Sequence, residues 1–354
     1  MTGVLDISVT KVQRSKLQDI NLENVPFGKY FTDHMLEADY ADGEWKKVVI
    51  RPYQALQMEP SMAALHYGQA IFEGIKAYKD EKGEAHIFRP ADNFRRFNQS
   101  AERMNMPVVP EEIFMEGMRQ LIALDKDWVP AYKDHSLYIR PVMFATDEAL
   151  GVRPSATYKF LILLSPTGPY FVNPMRILVE EKYTRAAPGG VGFSKNAGNY
   201  GGSMLASTIA RQQGFDQVLW TDAFEHKWLQ EVGMMNVFFV INGRAITPSL
   251  DEGTILEGVT RASVIRGLEE MNIPVEERRI NIDELVAAYK AGQLSEVFGT
   301  GTAAVIAPVK ELSYKGYSMT FDTDSYRISP AIKTWLNDIR EGRIADKFGW
   351  MVKV

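Results

Sequence analysis

The chain of 354 residues contains no cysteine. Disulfides, thiolate nucleophiles and thiolate metal ligands are therefore excluded, which fits a reducing compartment. The five histidines form neither an H-x-x-x-H nor an H-E-x-x-H pair, so no zinc motif is present. The N-terminal residues lack a signal-peptide core, and the apolar run Phe160–Leu164 is far shorter than the roughly 20 residues of a membrane helix. We expect a soluble, cytoplasmic protein.

Charge of one sign is not concentrated anywhere in the chain. Lys and Arg number 40 and Asp and Glu number 45, for a formal net charge of −5. A nucleic-acid partner needs clustered basic residues, so none is expected. Neither a phosphate-binding G-x-x-x-x-G-K-[ST] loop nor a G-x-S-x-G nucleophile elbow occurs, so neither a nucleoside triphosphatase nor a serine hydrolase is indicated.

Strand-like and helix-like patterns alternate along the chain, in two mixed α+β halves. Ser165–Pro174 holds three prolines and one glycine, which predicts a linker between the halves. Asn242-Gly243 predicts a type I′ hairpin turn. The predicted strands are 48–56, 84–89, 136–145, 160–164, 176–181, 217–221, 234–241 and 296–309, and the predicted helices are 91–104, 110–128, 203–212, 261–271, 283–291 and 331–341.

The densest glycine cluster, residues 189–202, contains a single lysine, Lys195. A lysine here could be an ordinary solvated charge, and from this stretch alone that interpretation is the better one. Glycines also let a backbone approach a ligand closely. A lysine in such a pocket can lose solvent, which lowers the pKa of its amine and suits it to Schiff-base chemistry.

Two turns could bind an anion. Residues 299–304 resemble the dinucleotide pattern G-x-G-x-x-G/A, but strand-like residues follow where a helix is needed, so a Rossmann site is rejected. A turn of small residues with available N–H groups remains, as does an ordinary hairpin. Residues 256–261 run into a helix whose start favours phosphate, although Thr260 could simply cap that helix.

Glu231 lies between apolar residues that predict burial. A buried carboxylate is costly unless it is paired with a cation or a hydrogen-bond donor. A structural ion pair is one interpretation of Glu231. A carboxylate that keeps a ligand nitrogen protonated is the other.

Six blocks, in this order and spacing, resemble the branched-chain amino acid aminotransferases, which are pyridoxal 5′-phosphate (PLP) enzymes of fold type IV. The resemblance extends from Phe27 to the C-terminus. It implies an α+β fold with a smaller N-terminal α/β domain (1–167), an interdomain linker (168–178) and a larger PLP-binding domain (179–354) with a barrel-like β core. The six blocks are His66–Gly74, Phe88–Pro90, Leu137–Pro141, Lys195–Tyr200, Glu231–Gly233 and Glu296–Ala303.

The resemblance also implies a cofactor site. Lys195 matches the lysine that forms a Schiff base with PLP and shuttles a proton, Glu231 matches the partner of the pyridinium nitrogen, and Tyr200 matches the tyrosine at the ring O3′. The phosphate would be bound by Arg96, by Val259 and Thr260 at the helix start, and by Thr302.

For the substrate, the resemblance implies aromatic walls around a branched side chain, with Arg140 offering a charge to the distal carboxylate of 2-oxoglutarate. The backbone of Thr302 and Ala303 would hold the α-carboxylate. Val152 matches a loop residue that reaches a neighbouring subunit, so a homodimer is implied. Tyr170 falls in the linker that borders the site. The walls are Phe27, Tyr67, Phe72 and Tyr138.

Three residues, Asn196, Ala197 and Met234, depart from the family's usual pattern. Asn196-Ala197 replaces a common Leu-Gly pair, which changes the packing beside Lys195. Met234 stands where threonine is frequent, which removes one hydrogen bond near the cofactor.

The sequence thus predicts a PLP-dependent transaminase that acts on L-leucine, L-isoleucine or L-valine and 2-oxoglutarate. The alternatives are a D-amino acid aminotransferase, an aminodeoxychorismate lyase, or a non-catalytic protein that keeps the fold.

Overall fold

The computed structural model describes residues 6–170 and 173–354. Residues 1–5 of the predicted N-terminal domain and 171–172 of the predicted linker lie outside the described residues. The strands are β1 (Ile7–Val9), β2 (His34–Ala41), β3 (Glu44–Trp45), β4 (Val48–Pro52), β5 (Ala70–Phe72), β6 (Ile75–Lys79), β7 (Ala85–Phe88), β8 (Ser136–Ala145), β9 (Tyr158–Thr167), β10 (Met175–Val179), β11 (Gln217–Thr221), β12 (Leu229–Val232), β13 (Met235–Ile241), β14 (Arg244–Thr247), β15 (Val275–Glu277), β16 (Leu294–Gly301), β17 (Val305–Tyr314), β18 (Tyr317–Thr320) and β19 (Met351–Lys353). The α-helices are α1 (Ala63–Tyr67), α2 (Pro90–Arg103), α3 (Gly117–Leu124), α4 (Ala197–Gly202), α5 (Met204–Gln212), α6 (Val259–Glu270), α7 (Ile282–Lys290) and α8 (Ile328–Arg340).

The chain forms two compact units. The first takes in the chain up to Tyr170, Ser194–Gly198 and Asp338–Val354, and the second takes in residues 173–193 and Asn199–Asn337. Two stretches beyond the predicted linker thus belong to the first unit. Backbone pairing explains both, because Asn196 forms a bridge with Ile71 and β19 pairs with β7. The second unit's β10 begins inside the predicted linker, and the domain boundaries from the sequence stay predictions.

The first unit is a mixed sheet covered by helices. Its strands lie in the order β1-β4-β2-β9-β8-β6-β7-β19, with β3 on β2 and β5 on β8. The strands β8 and β9 pair over ten residues each, from Ser136–Thr167 to Ala145–Tyr158. Phe97 of α2 and Leu121 of α3 are fully buried in the core with Phe160 of β9. This burial of apolar area holds the helices on the sheet.

The second unit contains a closed β-barrel. Its strands follow the order β12-β11-β10-β17-β16-β13, and β13 pairs with β12 again, so six strands make a ring. β14 extends the sheet from β13, β15 from β14 and β18 from β17. Side chains of Val237, Phe239, Val297 and Val309 fill its core. The fold class expected from the sequence, α+β with a barrel-like β core, is therefore confirmed.

Several predicted elements match the structure, and others do not. β8 and β11 occupy the predicted residues. Asn242 and Gly243 both have positive φ, of 51° and 74°, as a type I′ turn requires. The single strand predicted over 296–309 is wrong, because β16 and β17 are separate strands that meet at a turn of residues 302–304. The small residues of this turn let the chain reverse, in agreement with the hairpin interpretation of residues 299–304.

Candidate active site

Lys195 is anchored on both sides by the first unit. Its backbone N–H donates to Ser100 Oγ at 2.9 Å, and its carbonyl accepts from the Phe72 N–H at 3.0 Å. The Lys195 Nζ lies 4.8 Å from the centre of the Phe72 ring, where the aromatic face attracts a cation. The lysine therefore has a fixed backbone and an amine placed against an aromatic wall.

A buried ion pair lies beside this lysine. Arg96 of α2 donates Nε to Glu73 Oε1 at 2.7 Å and Nη2 to Glu73 Oε2 at 2.8 Å. Burial raises the pKa of Glu73. The charge and hydrogen bonds of Arg96, with smaller contributions from Lys195 and Asn93, lower it by more than burial raises it, so the net pKa is below its usual value. Arg96 thus comes to the site already oriented by a carboxylate that the sequence analysis did not single out.

Three of the predicted wall residues cluster in the first unit. The rings of Phe27 and Tyr138 meet edge to face at 4.8 Å, and Phe27 meets Tyr170 at 5.0 Å. Phe72 joins them through Arg140, whose Cζ lies 4.6 Å from the Phe72 centre and 5.3 Å from the Tyr138 centre. The structure therefore brings Phe27, Phe72, Tyr138 and Arg140 together.

The guanidinium of Arg140 does not use all of its hydrogen-bond donors within the described residues. Its Nη2 donates to the Tyr138 hydroxyl at 3.0 Å. Its Nε is buried, with no hydrogen-bond partner among the residues that the structure describes. A guanidinium held between two rings with an unused donor suits a carboxylate.

Two predicted substrate residues lie elsewhere on the first unit. Tyr67 ends α1, and its side chain is 42% exposed. Val152 is 90% exposed in the loop between β8 and β9. Neither belongs to the aromatic cluster of Phe27, Phe72 and Tyr138 in this single chain.

In the second unit, Glu231 lies on β12 and is 4% exposed. Arg185 forms an ion pair with its Oε2, and Asn236 Nδ2 lies 3.4 Å from its Oε1. The sequence analysis missed both partners. Asn236 had a usable signal, because a two-residue turn at Gly233-Met234 places it directly opposite Glu231 in the β12–β13 hairpin. Met234 itself is 55% exposed.

Three of the predicted phosphate-binding residues, Val259, Thr260 and Thr302, lie in the second unit. Val259 and Thr260 are buried at the start of α6, whose N-cap is Gly258 and therefore supplies no capping side chain. First-turn N–H groups of a helix attract anions. A β-carbon on Gly258 would collide with Asn236 Oδ1, so glycine is required there.

Thr302 and Ala303 form the turn between β16 and β17 and are partly buried. Just before them, Thr300 is 1% exposed, and its Oγ1 has no hydrogen-bond partner within the described part of the chain. Tyr200 lies in α4 and is partly buried, and its carbonyl accepts from Ser203. These residues supply hydroxyl donors and a turn suited to an oxyanion.

Residues 6–170 and 173–354 contain no helix with both the length and the apolar character needed to span a bilayer. Within the same residues, no three His, Cys, Asp or Glu side chains are grouped as metal ligands would be.

Comparison with known proteins shows the family to which the chain belongs. Residues 70–312 match the family model described as amino-transferase class IV. The branched-chain-amino-acid transaminase 1 of Bacillus subtilis is 50% identical over 334 residues, which cover 93% of this chain and 94% of that protein.

Solved structures show the same fold. The branched-chain amino acid aminotransferase of Escherichia coli matches with a TM-score of 0.75 and 27% identity, over 90% of this chain and 98% of that one. The T.th. enzyme complexed with N-(5′-phosphopyridoxyl)-L-glutamate matches with a TM-score of 0.72 and 27% identity, over 89% and 97%. The chain therefore belongs to the branched-chain amino acid aminotransferase family, within the class IV aminotransferases.

Proposed function

We propose that this protein is a PLP-dependent transaminase that moves the amino group between L-leucine, L-isoleucine or L-valine and 2-oxoglutarate. The observation that carries the proposal is the placement of the Lys195 amine against Phe72, in one cluster with Phe27, Tyr138 and Arg140. A branched-chain amino acid needs an apolar wall for its side chain, and a dicarboxylate such as 2-oxoglutarate needs a cation. Both substrates need an amine at the reaction centre.

The residues present fit PLP. Its aldehyde needs an amine, its ring nitrogen an acid and its phosphate a set of donors. Lys195 supplies the amine and the buried Glu231 supplies the acid. The start of α6 attracts an anion through its helix dipole, and the Thr300 hydroxyl, which has no partner among the described residues, offers a further donor. Family membership supports the same cofactor.

When bound, PLP withdraws electrons from the substrate Cα. In our proposal, Lys195 would hold the cofactor through its Nζ. With substrate bound, the same amine would take the proton from the substrate Cα as general base and would deliver a proton as general acid. Glu231 keeps the ring nitrogen protonated, and Tyr200 donates to the ring hydroxyl oxygen.

Phosphate binding would orient the cofactor against these groups. Arg96 offers a guanidinium already fixed by Glu73, and Val259, Thr260 and Thr302 add N–H and hydroxyl donors. Fixed donors lose little entropy when the anion binds.

Substrate selection follows from the same cluster. The rings of Phe27, Phe72 and Tyr138 exclude water from an aliphatic side chain. Arg140 pairs with the distal carboxylate of 2-oxoglutarate, while the turn at Thr302 and Ala303 holds the α-carboxylate by backbone N–H groups.

We further propose that the enzyme acts as a cytoplasmic homodimer. The dimer is implied by the sequence resemblance and is supported by the exposure of Leu65, Leu150 and Val152, which are 65%, 70% and 90% exposed in the single chain. The bridge between Met62 and Glu148 places the loop that holds Leu150 and Val152 beside α1, which holds Leu65, and apolar residues exposed together mark a contact surface. Tyr67 and Val152 would then complete the substrate pocket in the assembly. The cytoplasmic location rests on the sequence alone.

The test is a substrate panel with the purified protein and PLP. We expect L-leucine, L-isoleucine and L-valine to change the cofactor's absorbance and to yield glutamate when 2-oxoglutarate is added, while D-alanine gives neither change. Reaction with D-alanine but not with L-leucine would contradict the proposed substrate class. Absence of any cofactor band would contradict the proposed cofactor.

A further inference from the structure

We propose that Arg185 is a positioning residue for Glu231, the acid that pairs with the cofactor's ring nitrogen. Arg185 keeps the buried Glu231 carboxylate charged and fixed, and it thereby protects cofactor binding against falling pH. This inference rests on the proposed function, in which Glu231 pairs with the cofactor's ring nitrogen. Arg185 itself need not touch the cofactor.

Arg185 and Glu231 are buried together. Their side chains are 9% and 5% exposed, and Arg185 Nη2 pairs with Glu231 Oε2. The same Nη2 donates to the carbonyl oxygens of Gly192 at 3.1 Å and Thr254 at 2.9 Å. Two separate backbone segments therefore fix the cation on one carboxylate oxygen.

The other oxygen of Glu231 has its own donor. Asn236 Nδ2 lies 3.4 Å from Oε1 and donates to the Leu256 carbonyl at 2.9 Å. The carboxylate plane is therefore set from both sides, by Arg185 and Asn236. Since Leu256 precedes Gly258 and α6, the acid and the predicted phosphate-binding helix share this support.

The two strands that pair with β12 carry no charged residue that could replace Arg185. β11, next to β12, carries no charged residue, and β13 places the neutral Asn236 opposite the acid. Glu180 directs its carboxylate to the N–H groups of Lys182 and Tyr183. Glu257, on the segment before α6, is exposed.

Loss of the cation would leave Glu231 buried without a compensating charge. Such a carboxylate takes up a proton instead of remaining ionised. A neutral acid cannot hold a cationic ring nitrogen, so cofactor affinity would become coupled to protonation. A single linked proton changes affinity by at most tenfold for each pH unit.

The experiment compares the PLP dissociation constants of the wild-type protein and three variants from pH 8 to pH 6. Arg185→Gln removes the charge but keeps a donor for the two carbonyls, and Arg185→Lys keeps the charge. Arg244→Gln is the matched control, because Arg244 pairs with Glu276 at an exposed position of the same unit. Each constant is divided by the wild-type value at the same pH, which removes the cofactor's own titration.

We expect the ratio for Arg185→Gln to rise by about tenfold or more from pH 8 to pH 6. The ratio should stay nearly flat for Arg185→Lys and Arg244→Gln. Adding Glu231→Gln to Arg185→Gln should abolish the rise, because the titrating acid is gone. A ratio for Arg185→Gln that does not change with pH would overturn the proposal and leave Arg185 a purely structural role.

A second measurement tests the proposal if an Arg185 variant fails to fold. The infrared difference between the wild-type holoenzyme and the Glu231→Gln holoenzyme reports whether the Glu231 carboxyl carries a proton. We expect no protonated carboxyl band at pH 7, and its presence would overturn the proposal. If the wild-type protein binds no PLP at all, the proposed function fails, which is distinct from failure of the Arg185 role.

Discussion

At the scale of single residues, buried charges are held by specific partners in both units. Glu73 is fully buried and accepts two hydrogen bonds from Arg96 and one from Asn93. Removal of one member of such a pair leaves the other charge uncompensated, which is far costlier than loss of an exposed pair. The position of the predicted phosphate-binding Arg96 therefore depends on a buried carboxylate.

Glu73→Gln should lower the free energy of unfolding by about 3 kcal/mol, since the Arg96 charge stays buried. Urea unfolding with and without PLP measures the loss. Glu44→Gln, which removes one of two exposed partners of Lys46, is the control and should change stability by less than about 0.5 kcal/mol. Equal stabilities of the two variants would contradict a structural role for the Glu73–Arg96 pair.

Asp222 is a second buried carboxylate, in the loop after β11. Burial raises its pKa. Hydrogen bonds from four backbone N–H groups lower it by more than burial raises it, so the pKa falls from 3.8 to about 2; the donors are Glu225, Trp228, Lys227 and Phe224. Because the folded pKa lies below the unfolded one, this stabilisation is full above about pH 4 and is lost as the pH falls toward 2.

Asp222→Asn should therefore cost about 2 kcal/mol at pH 7, and the difference from wild type should shrink as the pH falls from about 4 toward 2. Unfolding by urea at a series of pH values measures this. Asp251→Asn, at an exposed position, should show no such trend. A constant difference down to pH 2 would show that the carboxylate charge is not responsible.

At the scale of elements, helix ends are completed by groups far away in the chain. The first N–H groups of α8 donate to the side chain of Glu296, which lies on β16. Its Oε1 accepts from Arg327 and Ile328 at 2.6 and 2.7 Å, and its Oε2 accepts from the Ser329 N–H at 2.9 Å. A negative charge at a helix start also opposes the helix dipole favourably.

Glu296→Gln should lower the free energy of unfolding by about 1–2 kcal/mol, because the amide presents a donor to N–H groups that need acceptors. Amide hydrogen exchange at Arg327, Ile328 and Ser329 should speed up selectively. Glu269→Gln, in an exposed pair with Arg266, is the control. Unchanged exchange at these three amides would argue against the cap.

The fold and the site were predictable to different degrees from the sequence. β8 and β11 are rich in apolar and aromatic residues, so their bounds matched the prediction. The strand β2 was missed because its acidic residues interrupt the apolar pattern; Glu37 is paired there with Arg51 and Lys159. Lys195 stood out through its glycines. Arg185 carried no local signal, because its partner Glu231 lies 46 positions away in the chain and meets it only in the folded unit.

At the scale of the whole molecule, the chain returns at its end to the unit where it began. β19 pairs with β7, and the Trp350 carbonyl accepts from the Arg89 N–H at 2.7 Å. The Trp350 ring packs against Phe88 and lies under the Arg89 guanidinium. The first unit is therefore built from separate stretches of the sequence, and the C-terminal stretch is one of them.

Deletion of residues 350–354 should lower the free energy of unfolding by about 2 kcal/mol or more, since a strand and an aromatic contact are lost together. Thermal and urea unfolding measure the loss. Lys353→Ala keeps the strand and removes an exposed ion pair with Glu84, so it should be nearly neutral. A neutral deletion would show that the returning strand contributes nothing to the unit.

The most direct test of the whole account is to find the residue that bears the cofactor. Borohydride reduction of the PLP-loaded enzyme followed by peptide mapping should give one pyridoxyl label, on Lys195. Lys195→Ala should lose both the label and turnover. A label on another lysine, or none on the active wild-type enzyme, would contradict the central assignment.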